Sequence, residues 1–215
     1  VAADAVVNSI AYKGGYLAVA IEASPKTDNG FVALYDATTL ELLGSAQVGA
    51  QPDMLTFSPD GQYLLTANEG EPNNDYSVDP VGSISILSLT DDEIVEVRTA
   101  TFSSFNARRD ELIQAGVRIF GPNASVEQDL EPEYIAISED STTAWVALQE
   151  NNALAKIDIA SATVTDILPL GYKDHGVAGN GLDVSDEDGE INITTWPGVL
   201  GMYQPDAIAA YSAGG

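Results

Sequence analysis

The feature that most constrains the fold is a repeat. The blocks Asn8–Tyr12, Asp53–Phe57, Glu133–Ile137 and Asp206–Ala210 share one form, a polar residue followed by a short alternating apolar run. The last three follow Gln51-Pro52, Glu131-Pro132 and Gln204-Pro205. After the first three come turn signals: Lys13-Gly14-Gly15, Ser58-Pro59-Asp60-Gly61 and Ser138-Glu139-Asp140-Ser141. Second apolar runs occupy 16–21, 63–67 and 144–148, and third runs 31–35, 83–87 and 153–157. Fourth runs lie near 41–48, 93–99 and 163–168. Period-two alternation bounded by Gly, Pro and Asp reads as strand. Four short strands per unit, recurring about every 40–50 residues once two long segments are set aside, describe the blades of a β-propeller. The expectation is therefore an all-β chain of four-stranded antiparallel blades over 6–50, 53–100 and 133–168. The first strand of a further blade is expected at 206–215, and insertions at 101–130 and 169–203. Three blades and one strand do not close a ring. The ring is expected to be incomplete, its remainder lying in a longer chain or in other chains.

Charge narrows the partners. Among 215 residues, 8 Lys and Arg face 33 Asp and Glu, a formal net charge of −25. Such a surface repels phosphate backbones and anionic lipid, so nucleic-acid and membrane-surface binding are excluded as expectations. It favours cations, calcium above all, and it equally fits a chain made soluble in a salty medium. No cysteine is present, which removes disulfides, thiolate nucleophiles and thiolate-held metals. With one histidine, His175, a His-rich zinc site or a Ser-His-Asp triad has no basis. No apolar run approaches the roughly 18 residues of a transmembrane span. The chain opens on Val1 without signal-peptide features, which reads as a mature or excised segment.

Propeller geometry then places the acids. The loop entering each innermost strand and the loop joining the second and third strands share one face. That face collects Asp53, Glu133 and Asp206, with Asn8 as their counterpart, and also Glu22, Asn68, Glu69, Glu71, Gln149 and Glu150. Both insertions join it, whereas the opposite face receives only tight turns. Carboxylates and amide oxygens converging on a channel suit a hard divalent cation. Entry-loop acids also cap strand ends by accepting backbone N–H bonds, and Asp53, Glu133 and Asp206 fit that role as well. In the second insertion, Asp186 and Asp188 before Gly189 form part of a calcium-loop pattern, or a solvated acidic turn. In the first, Asn106 and Gly116 bracket a short helix. Its Arg108 and Arg109, with Arg118 nearby, could grip a phosphate or simply pair with neighbouring acids. Trp145 reads as a buried strand residue, and Trp196 as a pin holding the second insertion to the blades.

Several longer motifs go further. They include Gln51-Pro52-Asp53 through Ala67-Asn68-Glu69-Gly70-Glu71, Gly116-Val117-Arg118-Ile119-Phe120-Gly121-Pro122, and Gln128-Asp129-Leu130-Glu131-Pro132-Glu133-Tyr134. Leu148-Gln149-Glu150-Asn151-Asn152-Ala153-Leu154 and Gly201-Met202-Tyr203-Gln204-Pro205-Asp206-Ala207-Ile208 complete the set. From about Ala50 to its end the chain resembles the choice-of-anchor I domain proteins. That group includes mesenchyme-specific cell-surface glycoproteins and bacterial proteins labelled atypical alkaline phosphatases. The resemblance implies an exported protein, extracellular or at the cell surface, with the periplasm as a further possibility. Three functions follow as expectations. One is a module that binds a divalent cation, calcium, and contacts an extracellular ligand. Another is a metal-dependent phosphoesterase using Glu69, Glu71, Glu133 and Glu150, with Glu69, Glu150 and Arg118 as catalytic candidates on a phosphate ester. The third is a plain interaction scaffold.

Overall fold

The computed structural model describes residues 4–91 and 93–213. Its first sheet contains β1 (Val6–Lys13), β2 (Tyr16–Glu22), β3 (Asn29–Asp36) and β4 (Leu42–Ala50), antiparallel neighbours in chain order. A second sheet repeats the plan with β5 (Pro52–Phe57), β6 (Tyr63–Asn68), β7 (Ser83–Thr90) and β8 (Glu93–Thr101). The third contains β9 (Ile135–Ile137), β10 (Thr143–Leu148), β11 (Ala153–Asp158) and β12 (Thr163–Pro169). Each run read from the sequence falls within a strand or overlaps one closely. The exceptions are the shortened β9 and the Asp206–Ala210 block. At β9 the pairing starts irregularly before the strand: Glu133 N–H donates to Ala147 O and Ala147 N–H donates to Tyr134 O.

The alternation within β6 and β7 explains why the sheets stack. Leu64 and Leu87 point toward the first sheet and pack with Ala18, Val32, Leu34 and Leu55. Their neighbours Leu65, Ile84 and Ile86 point the other way, against Ile135, Val146 and Ile157. The middle sheet is thus covered on both sides and loses the polar face that a one-sided sheet keeps. Each fully buried leucine or isoleucine contributes roughly 1.5–3 kcal/mol by leaving water. The first insertion also belongs to this core: Phe102, Phe105, Leu112, Val117, Val126 and Leu130 all join the second cluster.

That insertion folds as a 3-10 turn at Ser103–Arg108, α1 (Arg109–Ala115) and α2 (Val126–Asp129). Gly116 ends α1 in the left-handed conformation, as its sequence position predicts. The expected start is displaced. Asn106 lies inside the 3-10 turn and instead accepts from Glu127 N–H, so it caps the first turn of α2. In the second insertion β13 (Tyr172–Asp174) pairs with β14 (Leu200–Met202). The indole N–H of Trp196 donates to Leu182 O within the same insertion, at 2.9 Å. Trp145 differs too. It is only half-buried, on the outer face of the third sheet beside residues 208–211, because no further sheet covers it.

Three stacked sheets do not meet end to end, and the propeller is incomplete. On the first sheet's outer face Val7, Ile10, Tyr12 and Phe31 remain exposed. The Asp206–Ala210 block runs against Ala136, Trp145 and Leu154 without strand pairing. A strand needs a hydrogen-bonded neighbour, and this segment has none among the described residues. Gly214 and Gly215, the end of the expected strand, lie outside the described residues.

Candidate functional site

The strands alternate in direction, so the β2–β3, β6–β7 and β10–β11 loops emerge at the same end as the entries to β5 and β9. The acids of that end come together there. Asp53 at the start of β5, Glu69 and Glu71 of the β6–β7 loop, Glu131 and Glu133 ahead of β9, Glu150 of the β10–β11 loop and Asp206 all lie within electrostatic reach of others in the set. For Asp53, Glu69, Glu131 and Glu133 burial is the first cause of an upward shift and repulsion from neighbouring acids the second. Burial, then the charges of Glu71, Asp53, Glu133 and Glu131, pushes Glu69 up to about 8. Glu131 reaches about 8 through burial and then Glu71 and Glu150. Glu133 reaches about 7 through burial, Asp53 and Glu150. Asp53 is raised by burial and by Glu22 and Glu71. Carboxylates so arranged cannot all ionise without a compensating positive charge.

Glu71 is the exception that shows what is missing elsewhere. Burial works to raise it, but an ion pair from Lys26 Nζ and a hydrogen bond from Gln51 outweigh that and hold it below the usual range. Lys26 lies in the β2–β3 loop, so the pair ties the first sheet to the second. Gln51 Nε2 donates to both Glu69 Oε2, at 2.5 Å, and Glu71 Oε2, at 2.8 Å. The backbone keeps these residues together, since Glu69 N–H donates to Gln51 O at 2.9 Å. Gly82, at the end of the β6–β7 loop, lets the end of the first insertion pack against that loop, its N–H donating to Glu127 O. A Cβ there would lie 1.9 Å from Leu130 O, so only glycine permits this approach. Glu71, Glu131 and Glu150 consequently line one cleft of about 370 Å³, together with Lys26, Arg118 and Phe120.

Asn151 builds the third-sheet side of this rim. It is fully buried; its Oδ1 accepts from Glu131 N–H at 3.1 Å, and its Nδ2 donates to Arg118 O and Asp129 O. Arg118 stacks on Phe120, its guanidinium 3.6 Å from the ring centre. It also donates to Glu150 O at 3.1 Å and pairs with the Glu150 carboxylate at 3.5 Å. Arg108 pairs with Glu111 on the exposed helix. Both arginines therefore serve their own acids. Asp206 reaches the rim and accepts from Gln149 Nε2, and Asn8 donates to Glu22 Oε2 at 3.0 Å.

Asp186 and Asp188 stand apart. Both are exposed, Asp188 accepts from Glu190 N–H, and neighbouring Asp183 accepts from Ser185 and Asn192 N–H groups. Their surroundings are those of a solvated acidic turn. His175 bonds Asn180 O within its insertion and takes no part in the rim. Two participants are not flagged by the sequence as site residues, Gln51 and Lys26, whereas Glu131 stands in the Glu131-Pro132-Glu133 motif that the sequence singles out. Gln51 stands in a recognised motif as well, but Lys26 carries no local signal. Among the described residues no three acids form a ready-made metal cage.

No curated protein matches this chain. Solved structures do, all with low identity. Hydrazine synthase of Kuenenia stuttgartiensis superposes with a TM-score of 0.50 at 11% identity, over 76% of this chain and 49% of that one. The β-propeller domain of the trilobed protease from Pyrococcus furiosus gives 0.46 at 12%, over 76% and 42%. That of Cps50 (Swd1) from Myceliophteria thermophila gives 0.47 at 13%, over 76% and 41%. The chain spans less than half the length of these structures. A family model, by contrast, matches from the first residue to the last, so the likeness first visible from about Ala50 extends over the opening blade. The chain belongs to the choice-of-anchor I domain family, over residues 1–215.

Proposed function

We propose that this chain is part of a surface-associated propeller module whose acidic rim binds a divalent cation, calcium, at a place of contact with extracellular ligands. One observation carries the reading: Glu69, Glu131 and Glu133, half-buried or more and drawn from separate segments, converge on one end of the sheets, where burial and then the charges of neighbouring acids raise them above their ordinary range. A divalent cation offers oxygen-rich sites the charge they lack and displaces the protons they otherwise retain. Family membership supports the surface association, and no described helix is long and apolar enough to cross a membrane. The phosphoesterase reading ranks second. It would need an arginine free for the ester, and Arg118 is engaged by Glu150 and Phe120. Calorimetric titration of calcium chloride into the chain at pH 8 tests the first reading. Saturable binding at or below millimolar concentration is expected, with protons released; no heat of binding at that concentration overturns it.

A further inference from the structure

We propose that Gln51, Glu69 and Glu71 ligate the cation, Gln51 through its amide oxygen, and that Lys26 competes with the cation for Glu71. This rests on the cation-binding reading of the rim and gives it a place and a regulator. Gln51 is 8% exposed, and its Oε1 is buried without any hydrogen-bond partner. The other end of the same amide holds two carboxylate oxygens, Glu69 Oε2 at 2.5 Å and Glu71 Oε2 at 2.8 Å. One neutral nitrogen thus occupies the point on which two carboxyl groups converge. Rotation about the last side-chain bond exchanges Oε1 with Nε2. It takes the oxygen from a buried place with no donor to one between two carboxylates. Three oxygens at one point repel each other unless a cation joins them. Two carboxylates and an amide oxygen, completed by water, form a hard-cation ligand set.

Two features position this set. Gln51 has φ 51°, in the left-handed region that non-glycine residues seldom adopt, directly before Pro52. That backbone takes its side chain out of the strand alternation of β5 and toward the loop. The Glu69 N–H bond to Gln51 O then fixes the distance between the two segments. Lys26 Nζ contacts Glu71 Oε2, the same oxygen that Gln51 holds. A tethered ammonium therefore supplies part of the charge when no metal is bound, and a divalent cation has to displace it.

The test is calorimetric titration of calcium chloride into the purified chain at pH 8, alongside Q51L, K26M and K13M. Lys13 lies at the opposite end of β1 and serves as the charge control. Loss of a ligand that nothing replaces is expected to weaken calcium binding about tenfold or more in Q51L. K26M is expected to tighten it about fivefold, and K13M to leave it within about twofold. Unchanged affinity in Q51L, or no tightening in K26M beyond K13M, overturns the assignment while leaving a cation elsewhere on the rim. No binding by the unsubstituted chain overturns both readings. Should Q51L fail to fold, the side-chain amide resonances of Gln51 in the unsubstituted chain decide. A calcium-dependent shift upholds the proposal, and resonances unmoved at saturation overturn it.

Discussion

The tight turns at one end of the blades and the rim at the other are built on the same strands but treat their acids in opposite ways. Asp36 accepts from Thr39 and Thr38 N–H groups at 2.7 and 2.8 Å, and these bonds hold it below the carboxylate range. Asp140 is lowered by Ser138 and Thr142, and Asp158 by Ser161. At Asp60 slight burial works upward, but Ser58 and Gln62 overcome it. At the rim Asp53, Glu69, Glu131 and Glu133 move upward instead. The difference lies in where donors come from. A turn acid finds most of its N–H and O–H partners within three residues, although Asp60 also draws on Ser141 of the next sheet. A rim acid faces acids from other sheets, and no local segment can supply the missing positive charge. The turn acids are complete in themselves, whereas the rim acids require something further.

The strongest challenge to this contrast is to dismantle the rim's support. Asn151→Ala removes the partners of Glu131 N–H, Arg118 O and Asp129 O in a fully buried setting. Each unpaired group costs about 1–3 kcal/mol, so a loss of about 3 kcal/mol or more is expected in denaturant unfolding. A loss below about 1 kcal/mol would mean that the rim is held by the blades alone.

Next in size is the response to pH. Glu69 and Glu131 near 8 and Glu133 near 7 have folded values above their unfolded ones. The folded chain then binds more protons than the unfolded chain between about pH 4.5 and 8, and stability falls as pH rises through that window. Turn acids, lowered by folding, act at the other end: their contribution is lost only as pH falls below about 4. With chelator present, the melting temperature is expected to drop by on the order of 10 °C between pH 5 and 8, after allowing for screening. Calcium is expected to restore it at pH 8 and to do little at pH 5. A melting temperature that stays level across this range would remove the distinction between the two ends.

This division also marks what the sequence could disclose. Strands and turns were legible because alternation and the Ser-x-Asp pattern act within a few residues. Ser58 and Ser138 each donate to the Asp two positions on, at 2.6 Å. The convergence of Asp53, Glu69, Glu133 and Glu150 followed from strand direction alone. Gln51 could have been found, since Gln-Pro-Asp recurs at Gln204-Pro205-Asp206 and both glutamines have positive φ. Lys26 could not, because its partner lies 45 residues away in another sheet. The start of the helix was misplaced for a related reason: Asn106 serves Glu127, 21 residues on, rather than its own segment. Trp145 was read as buried because strand periodicity registers an apolar side, not whether a sheet covers it.

A smaller effect is expected at the turns. Ser138→Ala removes the hydroxyl that accepts from Thr143 N–H and donates to Asp140, at 3.0 and 2.6 Å. A loss of about 1–2 kcal/mol is expected near neutral pH, together with a rise of Asp140 toward the ordinary range, measurable by NMR titration. Ser58→Ala is expected to behave alike, because Tyr63 N–H and Asp60 are bonded in the same manner. A large difference between the two would show that the turns depend on their sheets.

The finest test substitutes one acid at each end. Glu133 is raised by burial and then by Asp53, Glu150, Asp206 and Glu71, so at pH 8 its charge opposes folding. Glu133→Gln keeps the shape and removes the charge. Solvent screens part of the gain at this half-buried position, leaving roughly 1 kcal/mol of stabilisation at pH 8 with chelator present. At pH 5 the folded chain already carries the proton, and the same substitution is expected to be close to neutral. Asp140→Asn should do the reverse: near neutral pH it weakens the bonds from Ser138 and Thr142 and destabilises. Stabilisation by Glu133→Gln that appears only at the higher pH would separate an acid awaiting a cation from one that merely caps a strand. Destabilisation at both pH values would assign Glu133 to capping, and the rim would then be a larger version of the turns.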